Sequence, residues 1–154
     1  MHKTHVTRLL PYAPEELFRL VADVEAYPNF VPWVSAMKVW NRTASREGVR
    51  TVDAEAEVGF AFVKETFATR VRLDEAAKRI DVSLLYGPFK RLTNGWSFSP
   101  AKDGAKIEFD IDFEFKSRLL DALFAANVRA AAERLIACFE GRAQALYGPR
   151  PAVG

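Results

Sequence analysis

The sequence predicts an α+β fold in which a curved antiparallel β-sheet of about seven strands wraps around a long C-terminal α-helix. Apolar residues recur with a period of two between residues 35 and 116, and with helical spacing after residue 117. One or two short helices are expected after the first strand. The length of 154 residues fits a single domain, which we expect over residues 1–148, followed by a disordered tail at 149–154.

The N-terminal region predicts a strand over residues 3–10 and a short amphipathic helix over residues 14–24. Pro14 and the two acids that follow it suit a first helical turn. The segment from Tyr27 to Trp33 then carries two prolines and three aromatic side chains. A second short helical turn is expected there. Large aromatics beside prolines in a loop favour a movable gate over a plain structural turn, although an aromatic lid packed on the core is the alternative.

The central strands are predicted from their alternating faces. Between residues 49 and 59, small apolar residues on one face alternate with acids on the other. A turn near Ala61 and Phe62 would place Asp53 opposite Arg70 on the outer face, where opposite charges favour pairing. The last strand is the clearest, because apolar residues 107, 109, 111, 113 and 115 alternate with acids 108, 110, 112 and 114.

The C-terminal region predicts one helix of about 30 residues, roughly 45 Å long, which begins after an N-cap at Ser117. It ends near Gly148 and Pro149. Its apolar stripe consists of Leu120, Leu123, Phe124, Val128, Ala131, Leu135, Phe139 and Leu146. A strongly curved sheet around one helix leaves a space that side chains or a ligand must fill.

Composition narrows the classes of function. The net charge of +2 gives no electrostatic case for nucleic acid, and no DNA partner is expected. A single cysteine, an N-terminus without a secretory signal and the lack of a long apolar stretch favour a cytoplasmic protein.

Catalytic and metal-binding motifs are not found. His2, His5 and Cys138 have no metal-ligand spacing, and there is no Gly-x-Ser-x-Gly element. The acids of the last strand lie on its wet face by parity. We therefore expect no metal, no catalytic residue and no catalytic cofactor.

Apolar inner-face residues remain as the candidate site. They are Phe67, Leu84, Trp96, Phe98, Phe109, Phe113, Phe115, Leu120 and Phe124. Glu65, Tyr86, Asn94 and Ser117 could add polar groups, or could be satisfied rim residues. Such a lining favours an apolar guest held by burial. Periodicity alone is equally compatible with a filled core, and the aromatic segment ending at Trp33 favours the cavity.

Three motifs resemble a known family. They are Val21–Trp33 (VADVEAYPNFVPW), Gly87–Leu92 (GPFKRL) followed by Trp96 and Phe98, and the strand from Asp110 to Phe115 followed by Ser117-Arg118-Leu119-Leu120. Together they resemble the coenzyme Q-binding START-domain proteins of bacteria and mitochondria. The resemblance runs from about residue 3 to residue 147, and it implies a helix-grip fold like that of START domains and birch-pollen allergens.

The resemblance implies a START-like ligand-binding domain that carries ubiquinone or a related polyprenyl quinone in support of respiratory electron transport, without covalent chemistry. It adds a gate of Tyr27, Phe30, Val31, Pro32 and Trp33, and a second segment of Gly87, Pro88, Phe89 and Lys90 near the cavity. The ligand-binding residues expected are Phe30, Val31, Trp33, Phe67, Leu84, Tyr86, Phe89, Trp96, Phe98, Phe113, Phe115, Leu120 and Phe124. Transient contact with the inner membrane surface would follow from the cargo's location.

Two other functions share these signatures. Bacterial ribosome-association toxins are similar in the same motifs and imply binding to the large ribosomal subunit, although the near-neutral charge disfavours an RNA partner. Polyketide cyclases and aromatases share the fold and imply an enzyme. The lack of an inward acid–base pair disfavours that function.

Overall fold

A computed structural model describes residues 2–45, 47–60 and 63–151 of the chain. The strands are β1 (His2–Leu10), β2 (Val34–Ala44), β3 (Val49–Phe60), β4 (Val63–Asp74), β5 (Arg79–Tyr86), β6 (Phe89–Ala101) and β7 (Gly104–Phe115). The helices are α1 (Pro14–Ala22), a 3₁₀-helix (Val24–Asn29), α2 (Arg118–Ala125) and α3 (Val128–Tyr147). The predicted turn at Ala61 and Phe62 lies outside the described residues, as do residues 152–154 of the predicted tail.

The strands form a seven-stranded antiparallel sheet in the order β1-β7-β6-β5-β4-β3-β2. β2 to β7 follow one another as a meander, while β1 pairs with β7 and lies at the opposite edge from β2. α1 and the 3₁₀-helix connect those two edges. This architecture confirms the predicted fold class, because the sheet has one apolar face and the C-terminal helices cover it.

The register between β3 and β4 confirms the predicted pairing of Asp53 with Arg70. Asp53 is only 3% exposed. Its carboxylate accepts hydrogen bonds from Nε of Arg70 at 2.9 Å and from Nδ2 of Asn41 at 2.9 Å. The Arg70 guanidinium holds the pKa of this carboxyl below its usual range. The charge is thus stabilised by its hydrogen-bond partners.

The main core lies at the end of the sheet where α1 and α3 meet it. α1 buries Leu17, Phe18, Leu20 and Val21, and the Phe18 ring packs edge-on to Phe98 at 6.3 Å. α3 buries Ala132, Ile136, Phe139 and Ala143. This stripe is rotated relative to the predicted one, and Leu146 is 52% exposed. Because alanines occur all around α3, packing selects the face on which small side chains allow close approach.

The C-terminal helix is interrupted at Ala126 and Asn127, whereas the sequence predicted one continuous helix. Asn127 has φ −126° and ψ 22°, outside the helical range. Ser117 is the N-cap of α2, as predicted, and its hydroxyl accepts from the Leu120 N–H at 3.3 Å. Asp121 ties α2 to the end of β7 by accepting from the Phe115 N–H at 3.0 Å. The break separates α2, which packs next to β7, from α3, which packs next to β1 and α1.

The segment after α3 lies against α1. Arg150 donates to both carboxylate oxygens of Glu16, at 2.7 and 3.0 Å, and its guanidinium lies 4.7 Å from the centre of the Tyr12 ring. The Tyr12 hydroxyl in turn donates to the Gly148 carbonyl at 2.9 Å. These contacts fix the end of α3 beside α1.

Candidate functional site

A cavity of about 700 Å³ lies between the inner face of the sheet and the helices α2 and α3. Of the two alternatives left by periodicity, the structure therefore shows the open cavity. The sheet contributes Ala54, Ala56, Val58, Val63, Glu65, Phe67, Thr69, Val71, Ile80, Val82, Phe89, Leu92, Asn94, Trp96, Phe109, Ile111, Phe113 and Phe115. The helices contribute Val21, Val24, Tyr27, Leu123, Phe124, Val128, Ala130, Ala131, Ala132, Arg134 and Leu135. The lining is mostly apolar.

The inner end of the cavity is closed by the main core. Trp96 is buried, and its ring lies 4.3 Å from that of Phe109 and 5.3 Å from that of Phe139. Val21 and Val24 approach from the helical side. These packed rings close the inner end of the cavity to water.

A run of phenylalanines lines the other half of the cavity, and we call it the phenylalanine wall. It consists of Phe67, Phe89, Phe113, Phe115 and Phe124. The ring centres of Phe67 and Phe89 are 5.3 Å apart, those of Phe89 and Phe115 4.5 Å, and those of Phe115 and Phe124 5.4 Å. These spacings are typical of aromatic pairs. The wall gives a guest a continuous apolar surface.

Gly87 and Pro88 form the turn between β5 and β6 beside this wall, and Phe89 and Lys90 begin β6. Gly87 has φ +147°, and a Cβ there would lie 2.4 Å from Cβ of Phe67. Only glycine therefore permits this close approach. Pro88 and Phe89 line the cavity, while Lys90 is exposed with its Nζ 3.5 Å from a Glu114 oxygen.

Two residues of the predicted gate segment line the cavity beside the end of β3 and the start of β4, and we call this end of the cavity its mouth. Trp33 and Val31 line the cavity, and the Trp33 carbonyl accepts from the Gly59 N–H at 2.9 Å. This bond joins the gate to the end of β3, where β3 approaches β4. Val31 is buried and Trp33 half-buried. Pro32 is exposed and does not line the cavity.

Few polar groups face the cavity. Glu65 and Thr69 line it from β4, Asn94 from the middle of β6, Asn127 from the break before α3, and Arg134 from α3. Tyr27 also contributes to the lining, but its hydroxyl donates to the Val21 carbonyl at 2.5 Å. Burial raises the pKa of this hydroxyl, so it stays neutral. A guest would thus meet apolar surface with isolated polar contacts.

The structure brings eight of the predicted ligand-binding residues together around the cavity, and five lie outside its lining. The five are Phe30, Leu84, Tyr86, Phe98 and Leu120. Phe98 is part of the main core, and Phe30 packs on Tyr27 and Phe139 with ring centres 5.8 and 5.2 Å apart. Leu84 packs against the cluster around Phe89, and Leu120 is half-buried on α2.

Tyr86 is turned outward by an irregularity of the sheet. Thr69 pairs with Leu84, but Ala68 pairs with Tyr86, so Leu85 is an extra residue in β5. Such a bulge moves the next side chain to the other face. Tyr86 is 49% exposed there and donates to the Glu55 carboxylate on the outer face. The sequence placed Tyr86 on the inner face because strict alternation along the strand was assumed, and the bulge breaks that alternation.

Sequence reasoning missed the residues that create the space. Ala54 and Ala56 on β3, and Ala130 and Ala131 on α3, line the cavity. Their signal was present as small residues on inward positions of β3, but a search for bulky apolar side chains passes over them. A cavity needs small side chains where a filled core would have large ones.

Other chemistry is not evident in the described part of the chain. Within residues 2–45, 47–60 and 63–151, no group of three His, Cys, Asp or Glu side chains is placed to hold a metal ion. Burial raises the pKa of the Cys138 thiol, which keeps it protonated and poorly nucleophilic. The acids Asp112 and Glu114 pair with Arg91 on the outer face, at 3.0 and 2.8 Å. Over the same ranges, each helix is too short or too polar to cross a lipid bilayer.

The fold and the cavity are those of a START-like, helix-grip protein. The polyketide cyclase / dehydrase and lipid transport family matches residues 10–140, so the chain belongs to this family. A START superfamily protein from Mycobacterium smegmatis shares the fold with a TM-score of 0.78 at 23% identity, over 95% of this chain and 99% of that one.

Three relatives are more similar in sequence. An 18 kDa protein of Caulobacter crescentus, solved in solution, is 61% identical with a TM-score of 0.81, over 97% of this chain and 100% of that one. The ribosome association toxin RatA of Escherichia coli strain K12 is 33% identical over 94% of this chain and 88% of the toxin. Coenzyme Q-binding protein COQ10 homolog B of Xenopus laevis is 30% identical over 92% of this chain and 58% of that protein. These matches confirm the resemblance drawn from the three motifs.

Proposed function

We propose that this protein binds a polyprenyl quinone, such as ubiquinone, in the cavity and acts as its chaperone or carrier in support of respiratory electron transport. The observation that carries the proposal is the apolar cavity of about 700 Å³ with its phenylalanine wall. Its volume lies within the range of small-molecule sites. Each CH₂ group that a guest buries there contributes about 0.8 kcal/mol.

The lining supports binding without catalysis. General acid–base chemistry needs titratable groups within hydrogen-bond reach of the reacting atoms. Glu65 and Arg134 are the charged residues of the described lining. A named relative that binds coenzyme Q supports the same conclusion. A catalytic function like that of the family's enzymes is therefore less favoured than binding alone.

Exposed leucines on α2 support collection of the cargo at an anionic membrane surface. Leu119 is 67% exposed and Leu123 is 45% exposed, and Leu123 also lines the cavity. Lys116 and Arg118 are exposed at the start of α2. Apolar side chains flanked by cations suit the interface of an anionic bilayer.

The experiment is organic extraction of the purified protein followed by mass spectrometry. We expect a polyprenyl quinone in near-stoichiometric amount from the wild type. Ala131→Trp should remove it, because Ala131 lines the cavity and a large side chain there fills the space. Ala137→Trp is the matched control, since Ala137 is exposed on α3 and does not line the cavity.

The second candidate function is association with the large ribosomal subunit, favoured by the similarity to RatA over nearly the whole chain. A protein that is empty after purification, takes up no added quinone and co-sediments with large subunits would replace the carrier proposal with this one. Equal quinone content in Ala131→Trp and Ala137→Trp would show that the cargo is held outside the cavity.

A further inference from the structure

Asn94 is the polar residue in an apolar row of the inner face. It pairs with Val82 of β5 and Ile111 of β7, and both neighbours also line the cavity. The adjacent inward residues of its own strand, Leu92 and Trp96, are buried and apolar. An amide at this position contributes no apolar packing, so its presence calls for a polar partner.

The side-chain oxygen of Asn94 has no such partner within the described structure. Oδ1 is buried and accepts no hydrogen bond. A buried acceptor without a donor is costly, and native proteins contain few of them. The torsion about the Cβ–Cγ bond of asparagine is soft, so this oxygen can turn toward a guest that lies against the side chain.

We propose that Asn94 is the anchor for the polar ring of the guest, and that it accepts a hydrogen bond from a ring hydroxyl. This inference rests on the proposed function and specifies its ligand. A quinol carries hydroxyl groups that can donate to Oδ1, whereas the carbonyl oxygens of the oxidised quinone only accept. Because Oδ1 is the buried atom of this amide that lacks a partner, the anchor favours the quinol, which can donate to it, over the quinone, which cannot. The preference is one of binding, and the protein transfers no electrons.

The position of Asn94 also fixes the direction in which the guest enters. Asn94 lies in the same row of the sheet as Val82 and Val71, through the pairings of β4, β5 and β6. Glu65 is six residues before Val71 on β4, which corresponds to roughly 20 Å along the strand. The phenylalanine wall lies in the half of the cavity between them. The ring thus enters first, and the prenyl tail runs along the wall to the mouth.

The test compares three probes that share one ring and one tail: decyl-ubiquinone, its quinol kept reduced under anaerobic conditions, and the dimethyl ether of that quinol. The ether keeps the shape of the quinol but cannot donate a hydrogen bond. With the wild-type protein we expect the quinol to bind at least about tenfold more tightly than the ether and the quinone.

Two variants remove the acceptor: Asn94→Leu keeps the size of the side chain approximately, and Asn94→Ala leaves additional space. Both should bind the three probes with similar affinity, so the preference for the quinol disappears. Thr93→Val is the control, because it removes a hydroxyl from the adjacent, exposed position of β6, outside the cavity lining. It should keep the preference. Asn94→Leu should also raise the melting temperature of the unliganded protein, since an unsatisfied acceptor is gone.

Equal affinity of the wild type for quinol and ether would overturn the anchor, and so would a preference that persists in both Asn94 variants. Binding of the quinone as tightly as the quinol would also overturn it. All three results leave the carrier proposal intact, because the probes still bind. Failure of every probe to bind would instead count against the carrier proposal itself.

Discussion

At the scale of single residues, Asp53 shows how a charge is kept inside the fold. It is buried on the outer face of β3, where Arg70 and Asn41 donate hydrogen bonds to it. Asn41 has φ +55°, a left-handed conformation that asparagine tolerates better than most residues. The asparagine that bonds Asp53 thus also fits the irregularity of β2 near this point.

We expect Asp53→Asn to lower the free energy of unfolding at pH 7 by about 1–2 kcal/mol, because a charge-assisted bond to Arg70 becomes a neutral one. The pKa of Asp53 is lower in the folded protein than in the unfolded chain. Its contribution is therefore present above the unfolded pKa, near 3.9, and is lost as the pH falls toward the folded pKa.

Denaturant titrations between pH 3 and pH 7 measure this effect. The difference between wild type and Asp53→Asn should be constant above about pH 5 and shrink below about pH 4. Glu47→Gln, at an exposed turn position, serves as the control and should show little difference at any pH. A difference that grows as the pH falls would contradict this account of Asp53.

A substitution of Trp33 tests the prediction that the segment from Tyr27 to Trp33 is a movable gate. Trp33→Ala should weaken retention of the quinone by at least about fivefold, because apolar contact area at the mouth is lost. Its melting temperature should change little, since the residue is half-buried. Trp40→Ala is the matched control, as Trp40 is exposed on β2 and lies away from the cavity. If the main effect of Trp33→Ala is a fall in melting temperature, Trp33 belongs to the core and is no gate.

At the scale of elements, α2 differs from the other helices because none of its residues is buried. Few buried contacts allow local opening at low cost. α2 also contributes Leu123 and Phe124 to the cavity. Movement of this helix would therefore widen the mouth without disturbing the main core.

We expect Leu119→Ser to reduce co-sedimentation of the protein with vesicles that contain anionic lipid, and to leave quinone binding in detergent unchanged. Leu119 is exposed on α2 and does not line the cavity. Leu146→Ser is the matched control, because Leu146 is exposed at the other end of the C-terminal region. Equal loss of vesicle binding in both variants would argue against a docking surface on α2.

The elements that the sequence predicted well are those with strict periodicity. β7 and the pairing of Asp53 with Arg70 follow from alternation, because a slip by one residue would expose every apolar side chain. The outward position of Tyr86 and the helix break at Asn127 could not be predicted from periodicity. A bulge and a helix interruption depend on how distant segments pack, and no local pattern marks either of them.

At the scale of the whole molecule, the cavity follows from a balance between large and small residues. Phenylalanines form one wall, and alanines on β3 and α3 leave the space in front of it. The sequence shows both kinds of residue, but the volume that remains depends on the curvature of the sheet and on the distance of α3. For this reason the apolar character of the site was predictable from the sequence, while its size was not.

The pairing of β1 with β7 bears on how the chain is made. His2 lies opposite Phe113, roughly 110 positions later in the sequence. A ribosome adds about 5–20 residues per second, so β1 waits roughly 5–20 s before its partner exists. During that time Val6 and Leu10, which are buried in the finished fold, lack their partner strand β7. β1 is the first of the described strands to be synthesised and is thus among the last to be secured, so protection of the nascent chain matters most at this strand.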